Sequence, residues 1–137
     1  MENYIEIKIP ALSKNESLAR NVIALFCVEL NPTIDELDDV KTAVSEAVTN
    51  SIVHAYSDND GEIILRASIL EQTLHIEIED FGVGIDDIAS AMKPFYTTKP
   101  EDERSGMGFT IMESFMDNLL VKKNEQGGTV VIMDKKF

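Results

Sequence analysis

The chain has 137 residues, 44% of them hydrophobic and 27% charged, which is enough for one domain with a real core and too short for two. Twenty-five acidic residues stand against twelve basic ones, and the net charge of −13 repels a phosphate backbone, which argues against direct nucleic-acid binding. No apolar run is long enough for a membrane span, the first residues carry no leader pattern, and the single Cys27 excludes an internal disulfide, so a reducing cytoplasm is expected and no membrane role.

Tyr4–Ile9 alternates, with Ile5, Ile7 and Ile9 on one face, and predicts a half-buried strand ended by Pro10. Ser13-Lys14-Asn15-Glu16 has the form of a capping box, predicting a helix with Leu18, Val22, Leu25 and Phe26 as its apolar positions and Arg20 off that stripe. Asn31-Pro32 breaks the chain, and Thr33-Ile34-Asp35-Glu36 is a second capping box. The helix it opens runs through to Ala55, with Ile34, Leu37, Val40, Val44, Val48 and Ile52 facing the core. Glu46 lies about 200° around from Val44 and so points away from that stripe, and Asn50 stacks one turn above it. With small Ala43 and Ala47 beside them, the carboxylate and the carboxamide are expected to form the wall of a pocket.

Ser57–Gly61 is a turn cluster, followed by a strand over Glu62–Leu70, a short turn at Glu71-Gln72 and a strand over Thr73–Asp80. In the second strand Asp80 falls in phase with Leu74, Ile76 and Ile78, which puts a carboxylate on the buried face, where it is costly unless hydrogen-bonded. After Phe81-Gly82-Val83-Gly84 come a short helical piece near 86–91 and a polar, aperiodic stretch over about 92–105 of the kind that forms a functional lid. Ser105-Gly106-Met107-Gly108 then opens a helix over Phe109–Asn118, and two strands joined by Glu125-Gln126-Gly127-Gly128 end the sequence. The order predicts an α+β two-layer sandwich in which a mainly antiparallel or mixed sheet is covered on one face by helices, all in a single domain, 1–137.

Asp80-Phe81-Gly82 is not a eukaryotic kinase element, because the chain is too short for that fold and has no upstream Gly-rich loop or H-R-D segment. No phosphate loop of the G-x-x-x-x-G-K-[ST] kind is present, and Gly82-Val83-Gly84 lacks the third glycine of a dinucleotide site. A lone Glu/Asn pair, D-x-G-x-G or G-x-G is each explained by a solvated face or a turn. The ordered set Glu46-x-x-x-Asn50, Asp80-x-Gly82-x-Gly84 and Gly106-x-Gly108 is not, and it resembles the nucleotide site of the ATPase and kinase superfamily of gyrase, bacterial histidine kinases and MutL, the Bergerat fold. Adding the N-terminal strand, Arg20 and Pro94-Phe95-Tyr96-Thr97-Thr98-Lys99, essentially the whole chain is similar to the anti-sigma-F family of serine kinases from endospore-forming bacteria.

That resemblance implies an ATP-dependent protein serine kinase that binds and inhibits a sporulation sigma factor and phosphorylates a serine on an anti-anti-sigma protein. ATP or ADP and Mg²⁺ are the implied ligands. Asp80 would accept a hydrogen bond from the adenine amino group, Gly82 and Gly84 would let the backbone approach the base and ribose, and Thr129 would reach the adenine edge. Asn50 would ligate Mg²⁺ through its oxygen, and Gly106, Met107 and Gly108 would offer N–H groups and a positive helix end to the phosphates. Glu46 would be the general base, with Lys99 and Arg104 as the cations available to the γ-phosphate. Thr97, Ser105 and His54 count among the nucleotide-lining positions, and Arg20 is carried over as a contact for the protein partners. The family is dimeric, and the edge strand Tyr4–Ile9 is the expected neighbourhood of the interface. Two rival readings are a histidine-kinase catalytic domain, against which stand only two histidines (His54 and His75) and no acceptor hairpin, and a nucleotide-gated binding module that transfers nothing.

Overall fold

Alternation, strict in Tyr4–Ile9 and Thr73–Asp80, gives the sheet one apolar and one more polar face, and three helices among the described residues bury the apolar one. The computed structural model describes residues 2–56, 61–85, 88, 92 and 108–137. The elements are β1 (Asn3–Pro10), α1 (Asn15–Phe26), α2 (Ile34–Asn50), β2 (Glu62–Leu70), β3 (Thr73–Asp80), α3 (Gly108–Phe115), β4 (Asn118–Lys123) and β5 (Thr129–Lys136). Among the described residues the strands form one sheet in the order β1-β2-β3-β5-β4, and its four pairings are all antiparallel, the first of the two arrangements expected. Residues 57–60 of the turn cluster, the helical piece near 86–91 except Ile88, and the lid except Met92 lie outside the described residues.

Register places the isoleucines where alternation predicts. Ile9 pairs with Ile63, Leu65 with Ile78 and Ala67 with Ile76, all on the helix-covered face. Val131 and Met133 of β5 continue that face beside Ile78 and Ile76. Against it pack Ile23 of α1, Val40, Val44 and Val48 of α2, and Met112 of α3, each fully buried. Burying a side chain of this size contributes roughly 1.5–3 kcal/mol, so these contacts dominate the fold.

Four helix expectations are corrected. Ser13 does not cap α1: the N-cap is Lys14, with no side-chain cap bond. The Glu16 carboxylate that would complete the box instead accepts from Arg20 Nη1, at 2.7 Å, and from the Ser45 hydroxyl of α2. The buried stripe of α1 is Ala19, Ile23 and Ala24, continued by Cys27 and Leu30 of the 3₁₀ turn Cys27–Leu30, whereas Leu18 and Leu25 face solvent. Small Ala19 on α1 and Ala43 and Ala47 on α2 are all fully buried, which lets the two helices approach closely. Ala43 and Ala47, the small neighbours of Glu46 and Asn50 on α2, are therefore spent on the helix contact. Ile34 at the start of α2 is 79% exposed, and α3 ends at Phe115 because Asn118 already pairs in β4.

The second capping box is present in full. Thr33 Oγ1 accepts from the Glu36 N–H at 3.1 Å, and Glu36 Oε1 accepts from the Thr33 N–H at 2.9 Å. Such a cap is worth about 1 kcal/mol. Just before it, Asn31 adopts a left-handed φ of 52° and ends the 3₁₀ turn. Cys27 is buried with its thiol donating to the Ala24 carbonyl, and burial pushes its pKa up, away from reactivity.

The face of the sheet turned away from the helices is polar. Arg66 reaches Glu6 at 3.1 Å and Glu79 at 2.9 Å, and His75 lies between Asp134 Oδ1 at 2.6 Å and Glu77 Oε2 at 2.9 Å. Partial burial opposes protonation of His75, but the hydrogen bonds and negative charges of Glu77 and Asp134 together outweigh it and raise its pKa. No helix among the described residues is long and apolar enough to cross a membrane.

Candidate functional site

The site is assembled where the C-terminal end of α2 meets the end of β3. Regular α-helix stops at Asn50, and Ser51–Ala55 widens into a π-helical turn. Turns of this kind re-aim side chains and are frequent at functional sites. Ser51, which starts it, is 4% exposed and donates its hydroxyl to Asp80 Oδ2 at 3.0 Å.

Asp80 is itself 4% exposed and pairs in register with Ile63, on the helix-covered face. Its Oδ1 accepts from the N–H of Gly82 at 3.3 Å and from the N–H of Thr129 at 3.2 Å. The partner that a buried carboxylate demands is thus supplied from within the chain, by Ser51 and two backbone amides, before any ligand is considered. A carboxylate offers about four acceptor positions, so three donors leave one. Burial raises the Asp80 pKa, and the three donors, which favour the charged form, offset it only in part.

The loop after Asp80 is held from both sides. The Tyr56 hydroxyl accepts from the Phe81 N–H at 2.5 Å and donates to the Glu62 carbonyl at 2.7 Å. Asn124, at the end of β4, donates to the Asp80 carbonyl at 2.8 Å and to Glu79 Oε2 at 2.9 Å, while its own oxygen accepts from the N–H groups of Gln126 and Gly128. The β4–β5 turn thereby lies directly on the Asp80-Phe81-Gly82 backbone. A Cβ on Gly128 would overlap the Asp80 carbonyl and come within 2.8 Å of Phe81 Cα, and one on Gly84 would overlap the Gly127 carbonyl. Glycine at 84 and 128 is therefore required by close backbone approach.

Glu46 and Asn50 both lie on α2, one turn and so about 6 Å of helix rise apart, and both are partly buried. The Asn50 Nδ2 is buried and has no hydrogen-bond partner, which costs about 1–3 kcal/mol unless a ligand supplies an acceptor. An orphaned carboxamide suits a Mg²⁺–nucleotide: its nitrogen can meet a phosphate oxygen, or its oxygen a hard cation. Among the described residues no three His, Cys, Asp or Glu side chains cluster as a metal cage. Mg²⁺ does not require one, since it keeps waters and phosphate oxygens as ligands.

Thr129 is buried beside Asp80, and Gly108 is the first residue of α3, which packs on α2. The side chain of His54, and all of Thr97, Lys99, Arg104, Ser105, Gly106 and Met107, lie outside the described residues. Arg20 is on α1, with 36% of its side chain exposed, paired with Glu16 and so tied through Ser45 to the segment preceding Glu46. Four residues that shape the site carry no motif in the sequence: Ser51, Tyr56, Asn124 and Gly128. Only the position of Ser51, directly after Asn50, offered any signal.

This combination of an antiparallel sheet, three helices on one face and a buried aspartate at the helix–strand junction defines an ATPase domain of the histidine-kinase type. Residues 9–135 match the family model described as a histidine kinase-like ATPase domain. The catalytic domain of histidine kinase ThkA superposes with a TM-score of 0.59 over 98% of this chain and 97% of that one, at 16% identity, a likeness of fold. The anti-sigma F factor of Clostridium acetobutylicum is 53% identical over 137 residues, covering 100% of this chain and 96% of the relative. That of Caldanaerobacter subterraneus subsp. tengcongensis is 52% identical over 133 residues, covering 97% and 93%. The chain belongs to the anti-sigma F factor family.

Proposed function

We propose that this protein is an ATP-dependent anti-sigma factor that holds a sporulation sigma factor inactive and phosphorylates a serine on the anti-anti-sigma protein that would release it. The observation that carries this reading is the junction of α2 with Asp80. A single open acceptor position on a buried carboxylate, next to an orphaned Asn50 amide, suits an adenine nucleotide whose phosphates run along the α2 end.

In this reading Asp80 accepts from the adenine amino group and Asn50 meets the phosphates. Glu46 orients the incoming serine hydroxyl and takes its proton as the serine oxygen bonds to the γ-phosphorus and the bond from that phosphorus to the β,γ-bridging oxygen breaks, releasing ADP. Mg²⁺, with Asn50 as its protein ligand, would neutralise charge on the phosphate oxygens. Thr129 lies beside the base; Gly106, Met107 and Gly108 cradle the phosphates at the N-terminus of α3, and Lys99, Arg104, Thr97, Ser105 and His54 complete the nucleotide surround. The lid over about 92–105 closes on the γ-phosphate, so ATP and ADP present different surfaces to the partners.

His75 is a poor phosphoacceptor in this frame, because it sits on the face of the sheet away from α2 with both ring nitrogens on carboxylates. A protein hydroxyl fits better than a histidine of this chain. The test is incubation with labelled ATP, Mg²⁺ and the anti-anti-sigma protein, followed by mapping of the label. Label on a partner serine is expected; ATP bound without transfer would leave only a nucleotide switch.

Arg20 contacts both protein partners in this proposal. Arg20→Ala is expected to weaken each of those complexes roughly tenfold and leave ATP affinity unchanged; unaltered partner affinity in a binding titration would sink the assignment. The active species is a cytoplasmic homodimer with β1 near the interface, since among the described residues β1 is an edge strand paired to β2 alone. Sedimentation should give twice the chain mass, and a monomer mass at every concentration would exclude the dimer.

A further inference from the structure

We propose that Ser51 is a positioning residue that sets the selectivity for adenine, acting through Asp80; this rests on the reading of Asp80 as the base acceptor. The Ser51 hydroxyl donates to Asp80 Oδ2 at 3.0 Å, while the Gly82 and Thr129 amides occupy Oδ1 at 3.3 and 3.2 Å. The two amides, one in the loop after β3 and one at the start of β5, fix Oδ1. Ser51 belongs to α2's π-helical continuation and fixes Oδ2. With both oxygens held, the carboxylate plane cannot turn, and its one open acceptor position faces a single direction.

A fixed acceptor discriminates by donor. Adenine carries an amino group at C6, which donates to it. Hypoxanthine carries a carbonyl there, and two acceptors facing each other in a site this buried repel. Without the Ser51 hydroxyl, Oδ2 has two open positions and one anchor fewer. The carboxylate can then turn or take up water, and a water molecule can bridge to a carbonyl as readily as to an amino group. Both the serine and the aspartate are 4% exposed, so bulk water does not already perform this role in the folded chain.

The same contact links base to phosphates along the chain, since Ser51 directly follows Asn50. A test must therefore separate base selection from any effect on the phosphate end. Comparing ATP with inosine triphosphate does so, because the two share ribose, triphosphate and metal, and effects there cancel in the ratio of their dissociation constants.

The experiment is a calorimetric or fluorescence titration of wild type, Ser51→Ala and Ser51→Cys with each nucleotide in Mg²⁺. Wild type is expected to favour ATP, and Ser51→Ala to lose about tenfold of that preference, as fits removal of one hydrogen bond to a charged group. Ser51→Cys keeps the volume with a weaker donor and should fall between them; it carries the test if Ser51→Ala does not fold. An ATP-to-inosine-triphosphate ratio equal to wild type in the folded variants overturns the role of Ser51. Wild type with no preference for ATP would instead overturn the adenine reading of Asp80, and this proposal with it.

Discussion

Glu46→Gln is expected to slow phosphoryl transfer to the anti-anti-sigma protein by about 100- to 10,000-fold, the range that a general base contributes. ATP affinity should stay within about threefold of wild type. The substitution keeps the size and helix propensity of residue 46 and removes its negative charge, and with it the capacity to take a proton. Glu46 sits one turn before Asn50 on a helix anchored at its N-terminus by a complete capping box and along its length by the core residues Val40, Val44 and Val48. Its backbone is therefore rigid, and a loss of transfer with ATP binding intact would locate the effect in chemistry. Single-turnover kinetics with saturating ATP would measure it. Transfer at the wild-type rate would remove Glu46 from the mechanism and favour a protein that uses ATP only to shape a surface.

The second large effect is expected at Asp80. Asp80→Asn should lower ATP affinity roughly 10- to 100-fold, because the charged acceptor becomes neutral and, with the carboxamide oxygen kept toward the Gly82 and Thr129 amides, an NH₂ on the Ser51 side meets the adenine amino group donor to donor. Stability in the absence of nucleotide should respond differently. Burial holds the Asp80 pKa above the usual carboxylate value, which means that folding favours the protonated form. The stability this provides is fully present below the unfolded pKa and is lost as pH rises through the folded one. The asparagine variant does not ionise, so its urea midpoint should decline less than that of wild type across that interval. Equal pH slopes for the two proteins would show that Asp80 is not the group responsible, and unchanged ATP affinity would remove it from the base site.

Period-two alternation made Asp80 legible before any coordinates: a carboxylate in phase with three apolar neighbours could only face inward, and it does. The same arithmetic failed on α1. There helical spacing predicts the bulky Leu18 and Leu25 on the core-facing side, but helices that approach closely favour alanine at their contact, and Ala19 and Ala24 take the buried side. Ser13 was read as a cap from local spacing alone, yet the Glu16 it needed is claimed by Ser45, 29 residues away. Ser51 and Asn124 were missed for a related reason. Their bonds to Asp80 span 29 and 44 residues, and no short-range spacing encodes them. The glycines at 84 and 128 are required by the chain itself, since each makes room for the backbone of the other's loop, a contact that the spacing of the glycines does not encode.

The hydrogen bonds around Asp80 have a thermodynamic consequence. Ser51 ties α2 to β3, Thr129 ties β5 to β3, and Asn124 ties the β4–β5 turn to β3, each by a bond to Asp80, the residue proposed to read the base. Folding and recognition are thus coupled through one set of bonds, and in the native chain the acceptor is already oriented before a nucleotide arrives. Little ordering entropy remains to be lost at the base on binding. A ligand that binds only this arrangement raises the unfolding free energy by RT ln(1 + [L]/Kd), so at a hundred times its dissociation constant it would add about 2.7 kcal/mol. The nucleotide would then act as a structural cross-link between helix layer and sheet, and the concentration of ATP would help to set what fraction of the copies is folded.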